Sequence, residues 1–256
     1  MQDRYFGDVG DFGKYGLLRA LCGLDGALRL KLGVVWYLFP NEDHNADGKH
    51  LGYLRKPKEY RDCDEQLYDL LQSLVFDRTG QLIEGARQIK HAETSGIFPK
   101  GTQFYSKPLS FPPGLRSQDR KKLRENWYAA ARAVTAENDL VFVDPDNGIE
   151  CSKSRTSAKG PKYVFWDEIA GFVHRDQSVV VYHHLNRNGT HAQQVENLFE
   201  DMRRRFPNSE ISAVTFRRGS RRAYFVIGAH QHKELLQRRL QTIESGLWSR
   251  HFILRS

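Results

Sequence analysis

The residues best placed to do chemistry are Asp144-Pro145-Asp146-Asn147-Gly148-Ile149-Glu150, which follow the apolar run Leu140-Val141-Phe142-Val143. Two carboxylates two positions apart, at the end of a buried strand, can polarise an amine, hold a metal or orient a water. Asp, Asn and Gly also suit a tight turn, and a turn alone accounts for Asp146-Asn147-Gly148. It does not require Asp144 at the end of an apolar strand. A second polar strand end, Tyr182-His183-His184, follows Val179-Val180-Val181. Side chains alternate along a strand, so at most one of the two histidines faces a given site. No HxH or HExxH spacing is present. A metal role for His183 or His184 would therefore draw on Asp144, Asp146 and Glu150 as oxygen partners. A hydrogen-bonded strand-end histidine is the alternative reading.

The N-terminal stretch Tyr5-Phe6-Gly7-Asp8-Val9-Gly10-Asp11-Phe12-Gly13-Lys14-Tyr15 combines glycine, acid and aromatic residues. Its glycines permit close backbone approach to a ligand, and Asp8 with Lys14 offers both signs of charge. It is neither a GxGxxG fingerprint nor a P-loop. Arg217, Arg218, Arg221 and Arg222 crowd one turn, with Arg203, Arg204 and Arg205 shortly before. They read either as a solvated turn or as a ridge that contacts phosphates without reading bases. Lys153, Arg155, Lys159 and Lys162 would extend that ridge toward Asp144, or belong to a mobile lid around 157–160.

These groups need a scaffold. The continuous apolar runs at 32–39, 139–144 and 178–184 predict strands buried on both faces, as in a parallel sheet. Helices are predicted over 11–24 with Asp11 as cap, 63–76, 81–94, 117–135, 163–173, 190–206 and 232–245. The runs 211–216 and 224–227 flank a glycine-containing turn and predict a hairpin. Strands alternating with helices imply an α/β fold. We expect a Rossmann-like, mostly parallel sheet with helices on both faces and a C-terminal antiparallel hairpin. One domain spanning 1–256, with a helical insertion at about 60–135, is expected. In such sheets ligands sit outside the carboxyl ends of the strands. That rule selects the loop after Phe39, the Asp144 turn and the Tyr182 strand end together.

Composition bounds the rest. The chain has 256 residues, 39% hydrophobic and 27% charged, which excludes a disordered protein. Cys22, Cys63 and Cys151 are scattered and odd in number, so neither a disulfide framework nor a CxxC metal site is indicated. The longest apolar run is far below the roughly 20 residues that span a bilayer, and the N-terminus lacks a signal-peptide layout. A cytosolic protein without membrane association is expected. The net charge of +8 favours a polyanionic partner, DNA or RNA.

Gly7-Asp8-x-x-Asp11-x-x-Lys14-Tyr15 before a leucine-bearing helix resembles the N-terminal signature of the bacterial 23S rRNA adenine-N6 methyltransferases, Gly-Asn-x-x-Asp-x-x-Lys-His. The order of elements is also similar, including a Val143-Asp144-Pro145 strand end and a late hairpin. The two motifs also resemble those of uncharacterised bacterial proteins. The resemblance implies a class I methyltransferase-like fold that binds S-adenosylmethionine through Gly7, Asp8, Lys14, Tyr15, Asn41 and Tyr182. Asp144 would then hold the acceptor atom. The family's Asp-Pro-Pro-Tyr is Asp144-Pro145-Asp146-Asn147 here, and Asn147 cannot stack on a flipped base. The glycine-rich cofactor loop is replaced by Asn41 to His50. Two further readings stand beside methyl transfer. One is a nuclease or phosphoesterase using Mg²⁺ or Mn²⁺ on Asp144, Asp146, Glu150 and His183 or His184. The other is an inactive module that binds nucleic acid or protein.

Overall fold

The computed structural model describes residues 1–24, 28–42, 48–150 and 154–255. In chain order the elements are α1 (Val9–Cys22), β1 (Leu32–Val35), α2 (Pro57–Tyr60), α3 (Glu65–Val75), α4 (Lys90–Thr94), β2 (Gln103–Tyr105), α5 (Ser117–Val134), β3 (Leu140–Val143), β4 (Gly148–Ile149), β5 (Tyr163–Val164), α6 (Trp166–Val173), β6 (Ser178–His184), α7 (His191–Arg205), β7 (Glu210–Phe216), β8 (Arg222–Gly228), α8 (Lys233–Ser245) and β9 (Phe252–Arg255). Seven strands form one mixed sheet in the order β2-β1-β3-β6-β8-β7-β9. The β2-β1-β3-β6 core is parallel, and β6-β8, β8-β7 and β7-β9 are antiparallel. Hairpin strand β8 returns to lie directly against β6, pairing Tyr182 with Tyr224 and His184 with Arg222. This is the α/β architecture expected from the alternation of apolar strands and helices.

The two faces of the sheet carry separate cores, because successive strand residues point to opposite sides. Val34, Trp36, Phe142, Val180 and Phe216 pack with α1, α3 and α8. Val35, Val143, Val181 and Phe225 pack with α5, α6 and α7. With both faces covered, the central strands are continuous apolar runs. Among the described residues, no helix is long and apolar enough to cross a membrane.

Several elements depart from the sequence reading. The first strand ends at Val35 rather than Phe39, because Tyr37 turns into a left-handed conformation (φ 45°). The backbone then meets the N-terminal segment, with Phe39 N donating to the Met1 carbonyl at 2.8 Å. Helix α1 is capped by Asp8, not Asp11, with the Asp8 carboxylate accepting from Asp11 N at 2.9 Å. The helix predicted over 81–94 is helical only from Lys90, because Gln81 to Gly85 pack back on the end of α3, with Ile83 N donating to the Val75 carbonyl. Residues 163–173 open with the short strand β5, paired with β4, before α6 begins.

Candidate functional site

The carboxyl ends of β3 and β6, the start of β8 and the N-terminal segment meet around one cleft of about 100 Å³. Its walls include Asp8, Asp11, Lys14, Asp144, Asp146, Asn147, Tyr182, His184, Ser220 and Arg222, with Met1, Tyr5, Gly48 and His50 at the same opening. The two sequence motifs, more than a hundred residues apart, thus share one site. Its place outside the carboxyl ends of parallel strands is where an α/β sheet holds a ligand.

Lys14 is the joint between the motifs. It is buried, and its Nζ donates to Asp144 Oδ2 at 2.7 Å and to Asp11 Oδ1 at 2.9 Å. Burial works against the ammonium, but the two carboxylates outweigh it and hold the lysine above its ordinary value. One ammonium cannot fully balance two carboxylates, so burial leaves Asp11 and Asp144 raised. Asp11 Oδ2 also accepts from the Tyr15 hydroxyl at 2.8 Å and from Gly7 N at 3.2 Å. Asp144 Oδ1 has no donor among the described residues.

Asp146 is held differently. Its Oδ2 accepts from Gln2 Nε2 at 2.9 Å and pairs with Lys162 Nζ at 3.1 Å, and Lys162 also holds Glu42 at 2.5 Å. Burial would raise this carboxyl, but the Met1 amine and Lys162 overcome it and hold the group below its ordinary value. Asp146 Oδ1 is nonetheless buried without a hydrogen-bond donor. The Asp146-Asn147-Gly148 turn is real as well, with Gly148 at φ +106° and pressed against His183. A Cβ at Gly148 would meet His183 Nδ1 at 2.5 Å, so only glycine fits.

The sheet decides between the two histidines. His183 turns to the other face, where its Nδ1 accepts from Ile149 N at 3.1 Å, and burial pushes its pKa down to about 4. It is the hydrogen-bonded strand-end histidine, and His184 is the one that lines the cleft. Four more candidate positions stand behind the lining. Glu150 accepts from Trp166 N at 3.3 Å, Asn41 accepts from Arg4 N at 3.2 Å, Tyr15 is spent on Asp11, and Gly7 packs on Val75. The helix glycines also play a part other than ligand approach. Gly10, Gly13 and Gly16 let Arg222, Phe216 and Trp248 seat directly on the backbone of α1.

Among the basic residues, Arg217 and Arg221 are exposed and Arg218 is half-buried, donating to His251 Nδ1 at 2.9 Å. Arg222, by contrast, is only 7% exposed and lies in the cleft. Arg155 pairs with Asp167, and Lys159 is exposed. Lys153 lies outside the described residues. At the end of the 157–160 stretch, buried Arg124 donates to the Gly160 carbonyl at 2.9 Å. Arg124 also makes a forked pair with Glu168, at 2.6 and 2.8 Å, and that carboxylate accepts from Tyr37 at 3.2 Å. The sequence reading missed this pin. Its one signal is that Arg124 stands three and seven positions before Trp127 and Ala131, on the apolar face of α5.

A second groove, of about 430 Å³, opens at the other end of the sheet beside Leu32, Gln103 and Asn138. Its cations, Arg29, Lys31 and Lys100, are exposed, and Asn138 Oδ1 is turned toward Gly33. Among the described residues no three His, Cys, Asp or Glu side chains are grouped to hold a metal. Neither a protein-family model nor a curated protein matches this chain.

Proposed function

We propose that this protein is a nucleic-acid-acting enzyme of the S-adenosylmethionine-dependent methyltransferase type, working at the Asp144 cleft. The observation that carries the reading is the state of Asp144 at the end of β3. One of its oxygens is fixed by Lys14 and the other has no donor among the described residues. A carboxylate so oriented can accept from an acceptor N–H and place its lone pair toward a methyl donor. Methyl transfer depends mainly on such in-line placement. Asp11 and Tyr15 then act as positioning residues, since they hold Lys14 rather than the reacting atoms.

The donor set suits the cofactor's charged end. S-adenosylmethionine carries a sulfonium and an ammonium, and the cleft is lined by the carboxylates of Asp8 and Asp146 and by Tyr182. When bound, the cofactor supplies an electrophilic methyl carbon. A space of about 100 Å³ takes that charged end and not the whole nucleoside, for which roughly 300 Å³ or more is usual. The exposed Arg217 and Arg221, in the turn that also carries the cleft residues Ser220 and Arg222, would supply phosphate contacts.

The metal-dependent alternative draws less support. Glu150 and His183 are turned to backbone amides, and Asp144 and Asp146 each hold a lysine that a cation would have to displace. Titration calorimetry with S-adenosylmethionine and its demethylated product tests the proposal. Binding is expected, with Asp144→Asn retaining it but losing methyl transfer to RNA or DNA. Absence of binding by both compounds overturns the reading.

A further inference from the structure

Arg222 opens β8 as a buried cation lining the cleft. Its guanidinium lies on Gly10 so closely that any Cβ there would overlap it. Nε donates to the Ser220 carbonyl at 3.0 Å. Nη1 stands 3.9 Å from Asp8 Oδ1, beyond hydrogen-bonding reach, and neither terminal nitrogen has an acceptor among the described residues. The same Asp8 oxygen is engaged in capping Asp11 N.

This is a costly way to bury an arginine. Its terminal donors give up part of their hydration for one distant ion pair and no hydrogen bond. The charge also stands at the N-terminus of the 14-residue α1, the positive end of the helix dipole. Both costs become gains once an oxyanion enters, because a guanidinium edge and a helix N-terminus each favour one. Ser220 lines the same space. The turn that leads into Arg222 carries Arg217, Arg218 and Arg221, so positive charge continues from the surface into the cleft.

We propose that Arg222, with Ser220 and the N-terminus of α1, forms an oxyanion subsite that holds one phosphate group of a nucleotide substrate. The proposal rests on the nucleic-acid part of the function above and not on the methyl donor. The phosphate is either a terminal monoester or a backbone diester.

Calorimetry with AMP, adenosine and a short oligonucleotide lacking terminal phosphates separates these sources. At least one phosphate-bearing probe should bind the wild type about tenfold or more tightly than adenosine. Tighter AMP assigns the monoester and tighter oligonucleotide the diester. Arg222→Lys keeps the charge but loses the planar fork, so it should weaken that probe about tenfold while leaving adenosine unchanged. Should this variant lose its fold by circular dichroism, Ser220→Ala takes its place and should weaken the same probe by severalfold. Adenosine binding as tightly as both phosphate probes, no binding of either phosphate probe, or equal affinity in the folded variant overturns the subsite. Failure of S-adenosylmethionine to bind sinks the methyl-transfer reading and leaves these outcomes unchanged.

Discussion

Lys14 reaches Asp11 and Asp144 at 2.9 and 2.7 Å from a position that is 3% exposed. Removing it strands two like charges in a low dielectric. Lys14→Met should therefore cost about 3–5 kcal/mol in urea unfolding, the usual range for breaking a buried pair. Adding Asp144→Asn should recover part of that loss, because the two sites are coupled. A loss below about 1 kcal/mol would mean the ion pairs are not buried as described. His183 gives a pH prediction. Burial puts its folded pKa at about 4 against an ordinary 6.5, so between these values the unfolded chain binds more protons than the folded one. Stability should then fall as pH drops through that window, by roughly 3 kcal/mol from this residue. His251, also held near 4 by burial and by Arg218, adds in the same direction. His183→Asn should flatten the profile between pH 6.5 and 4, and an unchanged slope would show that His183 is not the titrating group.

At the scale of the element, α1 inverts a common rule. Glycine inside a helix costs about 1 kcal/mol against alanine, so Gly→Ala usually stabilises. Here Gly13 faces Phe216, where a Cβ would stand 2.5 Å from the ring, and Gly16 faces Trp248 more closely still. Gly13→Ala and Gly16→Ala should each destabilise by about 1–3 kcal/mol through overpacking, despite the gain in helix propensity. Gly52 has nothing within 4 Å of its Cβ direction, so Gly52→Ala should be neutral or slightly stabilising. Thermal melts of the three variants provide the comparison. This packing also explains how a glycine-rich segment stays helical. The sheet and the Trp248 turn supply the energy that propensity lacks, and the segment is fixed where it must present Lys14.

For the whole molecule, the positive charge should be visible as salt dependence. If the hairpin turn contacts phosphates, log K for nucleic acid falls linearly with log salt, and Arg221→Gln should reduce the slope by about 1. An unchanged slope would place the contacts elsewhere. Much of this layout was legible beforehand. Leu140-Val141-Phe142-Val143 and Val179-Val180-Val181 announce central strands, and the rule for strand ends brings Asp144 and Tyr182 together. What was not legible depends on register and long-range packing. Four arginines in one turn read as surface, yet pairing of Arg222 with both His184 and Phe216 draws the last one inside. Alternation limited a given site to at most one of the two histidines but did not say which. Strands β2 and β9 are only three and four residues long and exist because a neighbour supplies their hydrogen bonds.

The contact between Gly10 and Arg222 carries a consequence for inheritance. No side chain, not even a methyl group, can be added at position 10 while a guanidinium occupies its present place. The two positions are therefore a linked pair of letters, 212 apart in the chain. In descendants of a common ancestor they should be kept together or exchanged together. A chain with alanine at the first position should carry a shorter residue at the second, and with it a different appetite for anions. Sorting genomes by that pair would separate lineages that kept the ancestral ligand from those that changed it.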